Sequence, residues 1–104
     1  MTDKELLELA AKAAGYEYPD FNSVNGSAFW VPMYGFWNPL TDDGDAMRLA
    51  VKLGLALVVG NVNDYIAVQS ERLPEVIHSD KTEDPYAATR RAIVRAAAEI
   101  GRAM

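Results

Sequence analysis

The sequence predicts an α+β domain in which a small antiparallel or mixed sheet of three or four strands lies between helical layers, in the order α-β-α-β-β-α. Three segments with apolar residues at helical spacing, each preceded by a capping residue, predict the helices. Runs rich in aromatic and β-branched residues separate them and predict the strands. Because a sheet can bury two faces, an α/β/α sandwich fits this pattern. A two-layer fold with all helices on one side is the alternative.

The first helix is predicted over about residues 3 to 14. Thr2 and Glu5 form a capping box, in which both side chains satisfy amides at the start of the helix. Gly15 is well placed to end it, because glycine adopts the left-handed conformation without steric cost. A loop rich in turn-forming residues follows. Residues 27 to 34 then predict a strand, in which Pro32 favours an edge position.

The second helix is predicted inside the most informative stretch of the chain, residues 38 to 54, which reads NPLTDDGDAMRLAVKLG. Phe36 to Leu40 is predicted to be a short extended link, since a residue that precedes proline disfavours the helical conformation. Thr41 or Asp42 is predicted to cap the helix, and Gly54 is predicted to end it.

A β-hairpin and a third helix complete the predicted fold. Leu55–Val59 and Tyr65–Gln69 predict two strands joined by the turn sequence GNVND, and Leu73–His78 is a weaker strand prediction because it contains Pro74. Asp84 is predicted to cap the last helix, with proline at its first position. The inner face of this helix is predicted to consist of Tyr86, Ile93, Val94, Ala97 and Ile100.

Composition limits the class of protein. A chain of 104 residues is expected to form a single domain. The sequence has no cysteine, which excludes disulfides and cysteine-ligated metals. A net charge of −5 argues against general nucleic-acid binding, which needs many basic residues. No secretory signal and no apolar run of about 20 residues is present, so we expect a cytoplasmic protein with no membrane association.

The two helix-forming segments also carry a family resemblance. NPLTDDGDAMRLAVKLG, followed by a β-hairpin and then DPYAATRRAIVRAAAEIG, resembles small phage and prophage proteins of the phage ABA sandwich type. The first helical segment, ELLELAAKAAG, also fits this type. The resemblance implies a small sheet between two helical layers, phage or prophage origin, and action in a bacterial cytoplasm. It implies no known activity, ligand or catalytic residue.

Aromatic residues supply the first candidate binding site. Trp30, Tyr34, Phe36 and Trp37 form the densest aromatic part of the chain. Aromatic side chains are common at contact surfaces because they bury a large area at a small cost in entropy. The alternative is that several of them build the core. Alternation along a strand should send neighbouring side chains to opposite faces, so some of them should be exposed.

Arginines of the last helix supply the second candidate site. Arg91, Arg95 and Arg102 lie on nearly one face of the predicted helix, and Arg90 is their neighbour. Such a face could bind an anion or an acidic partner. The alternative is a solvated outer face, with basic residues stabilised near a helix C-terminus.

Signals for catalysis and metal binding are weak. His78 is the only histidine and has no nucleophile motif to serve. Asp42, Asp43 and Asp45 do not follow the spacing of a calcium-binding loop, and helix capping explains them better. We therefore expect no catalytic residue, no metal site and no cofactor.

Binding rather than catalysis is the function that the sequence favours. The first hypothesis is a protein-binding module that modulates a host or defence factor. The second is a small-molecule or nucleotide binder, in which aromatic residues stack on the ligand and arginines hold phosphate. A small hydrolase is the third. A twofold homodimer is the default oligomeric state, because it is the commonest small assembly.

Overall fold

The structure is a computed structural model that describes residues 2–16, 29–31, 35–60, 65–80 and 84–104, without the side chains of residues 29, 30 and 80. The described elements follow the order α-β-β-α-β-β-β-α, and the α+β class is confirmed. Their bounds are α1 (Asp3–Ala14), β1 (Phe29–Val31), β2 (Gly35–Trp37), α2 (Asp43–Leu53), β3 (Ala56–Val59), β4 (Tyr65–Gln69), β5 (Ile77–Asp80) and α3 (Pro85–Arg102).

The predicted hairpin strands belong to a three-stranded antiparallel sheet with the order β3-β4-β5. Leu57 lies opposite Val68, and Val68 lies opposite Ile77. The weaker prediction of a strand at residues 73–78 is confirmed in a shifted position, since β5 begins only at Ile77. The predicted turn at residues 60–64 falls mostly outside the described residues.

A second, two-stranded antiparallel sheet is formed by β1 and β2, in which Trp30 lies opposite Phe36. Residues 27 and 28 and 32–34 of the predicted strand fall outside the described residues. The first two residues of the predicted extended link, Phe36 and Trp37, belong to the strand Gly35–Trp37, which pairs with β1. Pairing satisfies backbone groups that an isolated link would leave to solvent.

Helix boundaries agree with the predicted capping chemistry. The Thr2 hydroxyl accepts a hydrogen bond from the amide of Glu5 at 3.1 Å, and the Asp42 carboxylate accepts one from the amide of Asp45 at 2.8 Å. Asp84 accepts from two amides at the start of α3, each at 3.1 Å. Gly15 and Gly54 end their helices with φ of 80° and 65°, the left-handed conformation that glycine adopts most easily.

The segment that precedes α2 is held by a buried carboxylate. Asp45 accepts a hydrogen bond from the Asn38 amide at 2.9 Å, and its other oxygen accepts one from Arg48 at 2.9 Å. The Asn38 side chain accepts a further bond from the Leu40 amide at 3.0 Å. The stretch NPLTDDGD is therefore a folded turn whose polar groups are satisfied by the helix that it starts, as buried polar groups require.

Helix α3 occupies the centre of the molecule. One face, which includes Ile93, Val94 and Ala97, packs with the buried residues of α1 and α2. Another face, formed by Ala88, Ala92 and Ala96, packs with residues of the sheet. Small side chains allow this close approach, and together the two faces explain why nine residues of α3 are buried.

This packing sets the order of the layers as sheet, α3 and α1. On the opposite face of the sheet, Val58, Tyr65 and His78 are exposed. The described helices therefore pack on the face of the sheet that carries Ile66 and Val68, because α3 has a second apolar face. Tyr86, which was predicted on the inner face of α3, is 70% exposed, and that prediction is wrong.

Helices α1 and α3 run in the same direction and lie in close contact. Asp3 forms an ion pair with Arg91 near the start of α1, while the Lys12 ammonium lies 3.3 Å from the Met104 carbonyl oxygen near its end. Between these points Gly101 meets the backbone of Leu9 so closely that a side chain would not fit. Absence of a side chain at Gly101 therefore sets the distance between the two helices.

Alkaline pH should destabilise the fold in part through Tyr16. Burial, followed by the nearby Asp45 carboxylate, raises the pKa of the Tyr16 hydroxyl above 10.0, although Arg48 opposes this. The unfolded chain then loses this proton first, so the stability from Tyr16 is complete below about pH 10 and is lost as pH rises through the raised folded pKa. We expect Tyr16→Phe to reduce the loss of unfolding free energy between about pH 8 and pH 11, measured by urea denaturation. Parallel profiles for the two proteins would contradict this assignment.

Candidate functional site

The aromatic residues predicted as a contact surface do not act together. Trp37 is 1% exposed and belongs to the core, where its ring meets Tyr16 edge-on at a centroid distance of 5.3 Å. The prediction that Trp37 contributes to a contact surface is therefore wrong. Phe36 is 60% exposed, because alternation along β2 turns it to the other face. Trp30 is described only in its backbone, and Tyr34 lies outside the described residues.

The two predicted arginines line one cleft. Arg91 and Arg95 are one helical turn apart on α3, and both are exposed. The cleft has a volume of about 560 Å³ and lies between α1, α3, β5 and the segment that connects β4 with β5. Its other lining residues are Leu6, Leu73, Pro74, Glu75, Ile77 and Glu99. We call it the arginine cleft.

Each arginine of the cleft makes an interaction that a ligand could replace. The Arg91 guanidinium lies 2.9 Å from the Asp3 carboxylate in an exposed ion pair. Arg95 donates a longer hydrogen bond of 3.3 Å to the His78 carbonyl oxygen. Exposed pairs of this kind contribute only about 0–1 kcal/mol, so an incoming carboxylate can exchange with them at little cost.

The other two arginines of the predicted basic face have different surroundings. Arg90 is largely buried, donates to the Leu40 carbonyl oxygen at 2.9 Å and pairs with Asp43 at 2.6 Å. It therefore fixes α3 to the start of α2. Arg102 pairs with Glu99 at 3.3 Å near the end of α3.

The composition of the arginine cleft determines what it can bind. Apolar side chains from three elements, Leu6, Leu73 and Ile77, lie beside the two guanidinium groups. This combination suits a ligand that carries an acidic group next to an apolar one. Among the described residues, no aromatic side chain lines the cleft, so the stacking partner expected for a nucleotide base is not part of it.

The remaining polar candidates have structural surroundings. His78 lies on the exposed face of the sheet, where its Nδ1 is 2.7 Å from the Tyr65 hydroxyl. Asp42 caps α2, Asp43 pairs with Arg90, and Asp45 holds the preceding turn. Within the described ranges, no cluster of three or more acidic or histidine side chains could hold a metal ion.

A second surface was missed by the sequence analysis. An apolar groove of about 460 Å³ lies between α2, β3 and the start of α3, and Met47, Val59 and Tyr86 line it. These three side chains are 55%, 47% and 70% exposed. Met47 and Val51, four residues apart, extend the apolar surface of α2 beyond the stripe that the core needs. These extra apolar residues on α2 are the sequence feature from which the groove could have been predicted.

Comparison of the chain with protein-family models, with curated proteins and with solved structures finds no match. In the part of the chain that the structure describes, no helix has both the length and the apolar character needed to cross a bilayer. The surfaces described above are therefore the basis for the functional conclusion.

Proposed function

We propose that this chain is a small phage or prophage accessory protein of the bacterial cytoplasm that binds a partner protein and so modulates a host or defence factor. The observation that carries the proposal is the arginine cleft, in which Arg91 and Arg95 flank an apolar floor. The resemblance of its helical segments to phage ABA sandwich proteins supports the origin and the compartment.

The chemistry of the cleft supports a protein segment as the ligand. Arginine is enriched among the residues that dominate binding energy at protein interfaces, because its planar guanidinium forms paired hydrogen bonds with a carboxylate. A segment with an Asp or Glu beside a leucine-like side chain would bind the guanidinium groups and cover Leu6, Leu73 and Ile77 together. The flanking Glu75 and Glu99 would disfavour ligands with dense negative charge.

Binding rather than catalysis agrees with the pairing of charges around the cleft. Arg91 is paired with Asp3, and Glu99 with Arg102, so these groups hold one another at the surface. A general acid or base needs a side chain positioned to exchange a proton with a bound substrate. The described lining residues are better suited to hold a ligand by charge and apolar contact.

Capture of a partner tests the proposal directly. Tagged protein incubated with a lysate of the bacterial host should retain one stoichiometric partner, whose affinity is then measured with the purified pair. Replacing both arginines by glutamate, Arg91→Glu with Arg95→Glu, should weaken that affinity by at least about tenfold, because the partner's acidic group would meet like charge.

A matched control separates the cleft from overall charge. Arg72→Glu makes the same change of charge as Arg91→Glu alone, at an exposed arginine that does not line the cleft, and it should leave the affinity within about threefold of the original protein. Arg91→Gln with Arg95→Gln checks that added negative charge alone is not responsible. Failure to retain any stoichiometric protein, or equal affinity of the double variant, would refute the proposal. Nucleotides that raise the melting temperature of the original protein but not of the double variant would favour the small-molecule alternative.

A further inference from the structure

Within the described part of the chain, strand β3 forms an open edge of the three-stranded sheet. Among the described strands it pairs only with β4. The Gly60 amide donates to the Tyr65 carbonyl oxygen at 2.8 Å, which fixes the phase of the hydrogen bonds along this pair. Because hydrogen-bonded and non-hydrogen-bonded positions alternate in an antiparallel pair, Val58 faces β4, whereas the backbone groups of Leu57 and Val59 point to the open edge.

This edge lacks the features that usually prevent strands from pairing with other chains. Residues 54–60 read GLALVVG and contain no charged residue and no proline. Val58 and Val59 are 49% and 47% exposed, and they project from opposite faces of the strand. The other edge strand, β5, contains His78 and ends at Asp80, so it is better protected.

Charge restricts where a second copy can approach, and the edge at β3 is a place that allows it. Each copy carries a net charge of −5, so two copies repel each other over most of their surface. They can approach closely only where acidic residues are absent, and the stretch of residues 54–60 contains none. Its rim is neutral as well, because Asp43 beside the apolar groove is paired with Arg90.

We propose that two copies of this chain associate through β3, so that their sheets continue into each other around a twofold axis. An antiparallel pair centred on Val58 places Leu57 opposite Val59 of the second copy, and Val59 opposite Leu57 of the second copy. The outward N–H and C=O groups of both residues are then satisfied. Strand β3 is thus self-complementary, because its outward backbone groups and its apolar side chains match those of a second β3.

The apolar groove adds area to this contact. Met47 and Tyr86 lie beside Leu57 and Val59 on the inner side of the edge. In the twofold pair the corresponding side chains of the second copy approach the same region, which would cover both grooves. The contact leaves the arginine cleft uninvolved, since none of its lining residues belongs to β3 or α2.

Sedimentation and hydrogen exchange of the full chain test the proposal together. Sedimentation equilibrium over a concentration series should show a monomer–dimer equilibrium. Hydrogen exchange of the Leu57 and Val59 amides should slow as the protein concentration and the dimer population rise. Exchange of the Val58 amide, which is already bonded to β4, should not depend on concentration. Val59→Lys should raise the dissociation constant of the dimer by more than about tenfold, because it brings charge to the symmetric contact.

A control variant keeps the test specific. Val76→Lys introduces the same charge at an exposed valine outside β3 and should leave the dimer intact. Circular dichroism checks that both variants remain folded, and the exchange experiment needs no variant. A monomer at every concentration, or a dimer that survives Val59→Lys unchanged, would overturn the proposal. Protection of Leu57 and Val59 that is independent of concentration would also overturn it.

Discussion

Replacing Gly101 by alanine should destabilise the fold by about 3 kcal/mol, although alanine is normally the better residue inside a helix. An added Cβ would overlap the carbonyl oxygen of Leu9 and lie 2.9 Å from its carbonyl carbon. These are backbone atoms of α1, so they cannot move aside as a flexible side chain can. The two helices must separate, and the contacts along their whole length weaken. Urea denaturation monitored by circular dichroism measures the change in unfolding free energy.

Gly44→Ala is the matched control for this effect. Gly44 also lies inside a helix, but its added Cβ would meet the Arg48 guanidinium at 3.0 Å and the Asp42 carboxylate at 3.2 Å. Both are the ends of exposed side chains, which can shift. The change in unfolding free energy should therefore stay within about 1 kcal/mol of zero. Similar losses for the two alanine variants would show that the contact between α1 and α3 is less tight than described.

Trp37→Ala should cost about 3–5 kcal/mol of unfolding free energy, as is typical when a buried tryptophan is truncated. Trp37 is the largest fully buried side chain of the described core, and it fills the space between the β1–β2 pair and the helices. Its loss leaves a cavity and also removes the edge-on partner of Tyr16. Guanidinium denaturation monitored by far-ultraviolet circular dichroism follows the change without relying on tryptophan fluorescence.

Phe36→Ala tests whether burial, rather than aromatic character, causes this loss. Phe36 is the neighbouring residue on the same strand and is 60% exposed. Its truncation should cost no more than about 1 kcal/mol. A loss for Phe36→Ala as large as that for Trp37→Ala would mean that the β1–β2 pair faces the core differently.

The local features of this fold could be predicted from the sequence because each depends on a few adjacent residues. Thr2, Asp42 and Asp84 start helices by bonding amides two or three residues away, and Gly15 and Gly54 end them. These interactions need no information about the rest of the chain. The hairpin strands could be recognised for the same reason.

Features that depend on distant contacts could not be predicted in this way. The alanines of α3 gave no sign of a second buried face, because alanine is a strong helix former at exposed as well as buried positions. The assignment of Trp37 to the core and Phe36 to the surface depends on which face of a short strand meets the helices. Pairing of β2 with β1 likewise depends on two segments that the sequence pattern alone does not connect.

The candidate sites show the same division. Periodicity placed Arg91 and Arg95 on one face of a helix, and this is what the structure has. The cleft beside them is made by Leu6 together with Leu73 and Ile77, and Leu6 lies far from the other two in sequence. Position alone also did not distinguish Arg90, which is bound to Asp43 and largely buried, from its exposed neighbours.

The contact between α1 and α3 joins the first described helix to the last one, and this affects how the protein is made. During synthesis α1 leaves the ribosome long before α3 exists, so the side of α1 that packs on α3 stays uncovered by α3 in that interval. Helices this short are marginal by themselves in water, so α1 should fluctuate until α3 docks. Nascent chains that stop before residue 85 should therefore be rapidly degraded by cellular proteases, and assembly of the core should wait for α3 to emerge.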